Sequence, residues 1–178
     1  MKRKKSLFWL LLVAALLLTV LLALRKFGPK EEPETAPTIT TLYSVDSNAI
    51  TELSWKMEGK SLTFVRGENG WTYPEDPLFA VDGSSLDSLA HSASGITSSR
   101  TIPAVEDLAA YGLADPVVSL TITANGESRT FDFGDPAAVN AGKQYCTDGS
   151  GNVYLVGSSV TSGFSADYKS FAYTEQSE

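Results

Sequence analysis

Residues 107–116 read DLAAYGLADP. Ala and Leu favour a helix, yet the run meets Gly112 and Leu113, and Pro116 then forbids any continuation. The stretch reads as a short helix with an abrupt stop. Pro103 suits its first turn, and Glu106 and Asp107 place negative charge at the positive end of its dipole. Gly112 can take the left-handed conformation that ends a helix, with Leu113 packing back on Leu108 in a Schellman stop. Pro116 then launches an extended segment. Leu108, Tyr111, Gly112, Leu113 and Pro116 therefore form a structural joint that closes one unit and aims the chain into the next.

On both sides of this joint the same order of elements is expected. Before it, Ile50 to Met57 (ITELSWKM) and Ser61 to Arg66 (SLTFVR) alternate and flank Glu58-Gly59-Lys60, a hairpin signal. Asn69-Gly70 marks a second turn, leading into a third strand, Trp71-Thr72-Tyr73. Val81 to Ile96 carries Val81, Leu86, Leu89, Ala90, Ala93 and Ile96 near helical spacing, with Asp82 or Ser84 as cap. After the joint, Val117 to Thr123 and Ser128 to Phe133 flank Asn125-Gly126, a strong hairpin turn. Lys143 to Thr147 and Asn152 to Val156 flank Asp148-Gly149-Ser150-Gly151 as a further hairpin. Ser158 to Phe171 closes the series as a helix with Val160, Phe164, Tyr168 and Phe171 on one face. The expected fold is therefore α+β: two β-meander-plus-helix units packed as one domain.

The N-terminal part has another character. Lys2, Arg3, Lys4 and Lys5 precede Leu7 to Leu24, eighteen residues in which Thr19 alone is polar. As a helix that stretch is about 27 Å long, near the hydrocarbon thickness of a bilayer. A cleaved signal peptide is the competing reading, but its apolar core would be shorter and end in small residues. Here the core runs into Arg25-Lys26-Phe27. The basic cluster ahead of the span favours a cytoplasmic N-terminus. The chain divides into a cytoplasmic basic segment 1–6, a single transmembrane helix 7–24, a Pro/Glu-rich tether 25–40, an extracytoplasmic domain 41–173 and a tail 174–178. The expected location is the cell membrane, single-pass, with membrane lipid around the N-terminal helix.

Beyond Lys30 the chain of 178 residues carries seven Lys and Arg against all 21 Asp and Glu, a net charge of −14. So acidic a domain has no general attraction for nucleic acid. The lone cysteine, Cys146, excludes an intrachain disulfide, so burial of apolar surface must hold the domain together. Cys146 itself is expected as a small buried hydrophobe.

Motifs that carry chemistry are few. His91 is the only histidine, there is no G-x-S-x-G elbow, and neither a Walker loop nor a dinucleotide G-x-G-x-x-G after a strand is present. Asp148-Gly149-Ser150-Gly151-Asn152 resembles the first half of a calcium loop. It lacks the sixth-place glycine, where Val153 stands, and the twelfth-place glutamate, so a hairpin turn is the simpler reading. Glu75-Asp76 with Asp82 would be the carboxylates of a hydrolase. Most aromatics fall on apolar faces, and Trp71, Tyr73 and Phe79 are the candidates for an exposed binding surface. No catalytic residue, cofactor or metal is expected.

The run GENGW, the helix that follows it and DLAAYGLADP leading into an alternating strand resemble the bacterial family named domain of unknown function 4340. The turn Phe133-Gly134-Asp135 and the segments Gly142-Lys143-Gln144-Tyr145 and Val153-Tyr154-Leu155 fit the same pattern. The resemblance spans about Ile50 to Phe171 and implies a membrane anchor and, in some members, a place beside ABC-type export systems. It implies no activity. The expected function is a membrane-anchored, non-catalytic extracytoplasmic domain that meets another envelope or membrane protein, as an accessory component of an envelope or ABC-type transport system. A ligand- or glycan-binding module is the alternative, with a carboxylate-based hydrolase behind it.

Overall fold

The structure is a computed structural model that describes residues 39–174. The basic segment 1–6, the apolar stretch 7–24, residues 25–38 of the tether and residues 175–178 of the tail lie outside the described residues. Among the described residues no helix is long and apolar enough to cross a membrane.

Nine strands are present: β1 (Thr40–Ser44), β2 (Ile50–Met57), β3 (Lys60–Gly67), β4 (Gly70–Thr72), β5 (Gly95–Ile102), β6 (Val118–Ala124), β7 (Glu127–Pro136), β8 (Lys143–Thr147) and β9 (Val153–Gly157). One α-helix, α1 (Gly83–Ala93), lies between β4 and β5. The strands make one antiparallel sheet in the order β1-β5-β9-β8-β7-β6-β2-β3-β4.

This order overturns the expected α+β pair of meander-plus-helix units. Strands from the two halves of the chain interleave: β2 pairs with both β3 and β6, and β5 with both β1 and β9. Each hairpin would leave an unpaired edge, and joining those edges satisfies their main-chain donors and acceptors.

The hairpin turns follow their local chemistry. Glu58-Gly59 and Asn125-Gly126 all have positive φ, at 52°, 75°, 53° and 80°, as a type I′ turn requires. The third strand is β4, one residue earlier than Trp71 to Tyr73. The helix begins at Gly83 because the Asp82 carboxylate accepts from the Ser84 amide at 3.1 Å and from the Ser84 and Ser85 hydroxyls at 2.7 and 2.5 Å. Leu86, Leu89, Ala90 and Ala93 form its buried stripe. Ile96, assigned to the helix from its spacing, lies instead in β5, a strand that the sequence did not suggest.

The second expected helix, Ser158 to Phe171, is absent. Single 3-10 turns occupy Ser158–Val160 and Tyr168–Phe171, and irregular chain connects them. Asp167 caps the second turn through the Lys169 amide at 3.1 Å. Trp55 Nε1 donates to the Ser165 carbonyl at 2.9 Å, so this backbone oxygen is held by the sheet and not by a helix. Val160, Phe164 and Phe171 are buried nonetheless.

The core lies on the sheet face beneath α1 and this C-terminal segment. Trp55 stacks on Phe64 at 5.5 Å and meets Phe164 and Phe171 edge-on at 5.0 and 5.5 Å. The opposite face of β3, β2, β6 and β7 carries hydroxyls. Thr63, Ser54, Thr121 and Thr130 stand in one cross-strand row, hydrogen-bonded in pairs at 2.9 Å.

Candidate functional site

The sheet curls so far that β1 returns against β7, although three strands separate them in the sheet order. Tyr43 of β1 meets Phe131 of β7 edge-on at 5.8 Å. Between β1 and the β6–β7 hairpin lies a cleft of about 450 Å³, bounded by Tyr43, Ser44, Ser128, Arg129, Phe131 and Asp148. That volume falls in the range of about 300–1,000 Å³ usual for binding pockets. Burial raises the Tyr43 phenol above its ordinary pKa; the Arg129 guanidinium opposes that shift and Glu127 adds to it.

Two strand edges border the cleft. β7 runs ten residues and β8 only five, and β8 pairs with β7 from Asp132 to Pro136. Residues 127–131 therefore have β6 on one side and, among the described residues, no strand on the other. The turn at Asn125-Gly126 makes Ala124 and Glu127 a hydrogen-bonded pair, and the pattern alternates from there. Ser128 and Thr130 consequently direct their N–H and C=O groups away from β6. β1 pairs only with β5, through residues 40–44, and the Val45 amide continues that ladder to the Ser94 carbonyl at 2.9 Å. The outer edge of β1 has no strand partner among the described residues.

The residues singled out from sequence occupy two other places. The joint at 107–116 is built as expected at its end and differently at its start. The helical turn is 3-10, Leu108–Tyr111, with Asp107 as cap, and Pro103 lies outside it. Gly112 is left-handed at φ 68°, its amide donates to the Ala109 carbonyl at 3.1 Å, and the Leu113 amide donates to Leu108 at 3.0 Å. These are the two bonds of a Schellman stop. Tyr111 packs edge-on against Tyr145 of β8 at 4.9 Å, and Leu113 is buried. Pro116 precedes β6 by two residues. The joint thus clasps the sheet at β7 and β8.

Trp71 and Tyr73 are buried, and Phe79 packs partly buried against the core. Tyr73 and Phe79 come together, 6.1 Å apart, and each meets Tyr168 at 5.1 Å. Trp71 stands apart under the Arg66 guanidinium, 4.5 Å above its ring, and donates to Asp87 at 2.9 Å. Asp87 also ion-pairs with Arg66. These rings face inward and do not form an open aromatic platform.

The carboxylates are engaged locally. Glu75 accepts from the Tyr73 hydroxyl at 2.7 Å; burial and this bond push that phenol up to about 12. Asp76 accepts from the Leu78 amide, and Asp82 caps α1. Asp148 accepts from the Ser150 amide within the β8–β9 turn. His91 is exposed. Cys146 is fully buried, and burial, with Asp148 and Asp132 nearby, drives its thiol pKa upward. Among the described residues no three His, Cys, Asp or Glu side chains gather as a metal site.

Sequence reasoning missed the cleft. Its signals were present but weak: TTLYSV at 40–45 is rich in strand formers, and β7 is twice as long as β8.

Fold and site together define a single-sheet, all-antiparallel domain closed by one helix, with a cleft where two strand edges approach each other. The family profile described as "Domain of unknown function (DUF4340)" matches residues 71–175. The chain belongs to that family. No curated protein and no solved structure matches it significantly.

Proposed function

We propose that this chain is a membrane-anchored, extracytoplasmic domain without catalytic chemistry, which binds another protein of the cell envelope. The observation that carries this reading is the apolar stretch 7–24, preceded by four clustered cations and followed by an acidic domain. Membrane lipid surrounds that helix, the N-terminus stays in the cytoplasm, and the domain stands outside. The engagement of Glu75, Asp76, Asp82 and Asp148 in turns and caps supports a binding role over a hydrolytic one. A domain with net charge −14 has no attraction for nucleic acid. The resemblance to anchored proteins beside ABC-type exporters makes an accessory role in envelope transport the working assignment.

Crosslinking the full-length protein in its native membranes, followed by purification and mass spectrometry, tests the reading. One membrane or envelope protein should copurify reproducibly, and a reporter fused after Thr174 should be active only outside the cytoplasm. Cytosolic reporter activity, or no crosslinked partner, would overturn it.

A further inference from the structure

The cleft between β1 and the first half of β7 has an unusual lining. Its polar capacity is main-chain as much as side-chain. Ser128 and Thr130 offer N–H and C=O groups on one wall, and the outer edge of β1 forms the other. From Leu42 to Val45 and from Glu127 to Phe131, the β1 and β7 segments border the same space, and β1 and β7 are not paired with each other. A strand edge left unpaired is a template for another extended chain.

We infer that this cleft is a docking groove for an extended peptide of a partner protein, which adds a strand along the edge of β7 at Ser128 and Thr130. The inference rests on the reading of the domain as a protein-binding module and names its site. The inserted strand runs antiparallel to β7 and takes up the four main-chain groups of Ser128 and Thr130. Its alternate side chains face Tyr43 and Phe131 on the inner side and solvent on the other. Arg129, Glu127 and Asp148 give the groove mixed charge, so recognition is by main-chain geometry and the fit of small apolar side chains.

The proline-rich segment ahead of β1 suits the groove poorly as a strand. The segment just before β1, GPKEEPETAP, has prolines at positions 29, 33 and 37, and proline cannot donate to a ladder. A partner strand is the occupant that the geometry favours.

The test uses the full-length protein in detergent micelles and a library of random heptapeptides displayed on phage. The most enriched heptapeptide is synthesised in two forms, unmodified and N-methylated at alternate backbone nitrogens. The unmodified form should slow hydrogen exchange at the Ser128 and Thr130 amides, and N-methylation on the pairing side should weaken it by at least about tenfold. Thr130→Pro removes an N–H that β6 does not use and should weaken binding to the same extent, whereas Thr130→Val, which keeps the N–H, should not. If Thr130→Pro fails to fold, the two peptide forms still decide the matter on the unaltered protein.

Enrichment of no peptide, or insensitivity to N-methylation, would overturn the inference. Slow exchange at both amides without peptide would also overturn it. In that case independence of protein concentration assigns the groove to the chain's own N-terminal segment, and a rise with concentration assigns it to a second copy. The broader reading fails separately. If the crosslinked membrane partner is captured equally by wild type and Thr130→Pro, the groove is wrong and the binding role stands. If no partner is captured by either, the binding role is wrong.

Discussion

At Gly134 the backbone comes so close to the joint that a Cβ would collide with the Tyr111 carbonyl oxygen. At Gly112 a Cβ would meet Asp135 Cγ at 2.5 Å, and φ there is already 68°. The two glycines therefore interlock the turn after Tyr111 with the irregular stretch of β7 between Phe133 and Pro136. Gly134→Ala should cost about 2–4 kcal/mol, because rigid backbone must move to admit the methyl group; urea denaturation measures it. Asp82 is the complementary case of a polar residue with a local task. Bonds from the Ser85 and Ser84 hydroxyls hold its carboxyl below the usual carboxylate pKa. A folded-state pKa below the unfolded value stabilises above about pH 4 and loses that contribution as pH falls through the folded value. Asp82→Ala should therefore cost about 1 kcal/mol at neutral pH, and the gap between mutant and wild type should narrow as pH falls below about 4.

Among the elements, the C-terminal segment shows best how packing can replace regular structure. Its 3-10 turns make few backbone bonds of their own, yet Phe171 and Phe164 meet Trp55 edge-on, and Val81 forms a bridge with Ala172. The Tyr173 amide also donates to the Ala80 carbonyl at 2.9 Å, and the Asp82 amide donates to the Phe171 carbonyl at 2.8 Å. The segment is thus pinned at its C-terminal end by residues 80–82 and in its middle by the Trp55 bond to the Ser165 carbonyl. Phe171→Ala should cost about 3–5 kcal/mol and expose Trp55, which a red shift in tryptophan emission would report. The failed expectation of a helix here has a clear origin. Val160, Phe164, Tyr168 and Phe171 have helical spacing, but Ser162, Gly163, Ser165 and Ser170 are weak helix formers, and the Ser165 carbonyl is taken by Trp55 Nε1. The chain keeps its apolar contacts and gives up the helix.

For the whole molecule, the consequence of one curled sheet is a closed interior. Cys146 sits at zero exposure in β8, an interior strand paired with β7 on one side and β9 on the other. Its thiol should resist alkylation in the folded protein even at pH 9 and react only as fast as the domain opens, a rate that a denaturant series of labelling experiments measures. Labelling at the rate of a free thiol without denaturant would contradict this closure.

Much of the architecture was legible in short pieces. Hairpins announced themselves because Glu58-Gly59 and Asn125-Gly126 select their turn from neighbouring residues alone. The Schellman stop at Gly112 and the cap at Asp82 were readable for the same reason. β5 was not: in GITSSRTI the Ile and Thr residues are separated by Ser98-Ser99-Arg100, and only Ile96 and Ser98 of the strand are buried. It is a strand because β1 and β9 lie on either side to pair with it. Local sequence could thus determine turns, caps, the acidic character of the domain and the alternation of single strands, since each depends on residues a few positions apart. The joining of all nine strands into one sheet, and the unmatched lengths of β7 and β8 that open the cleft, were decided by tertiary pairing. Such pairing satisfies hydrogen bonds between residues as distant as Ser98 and Val156, and no local pattern encodes which edges will meet.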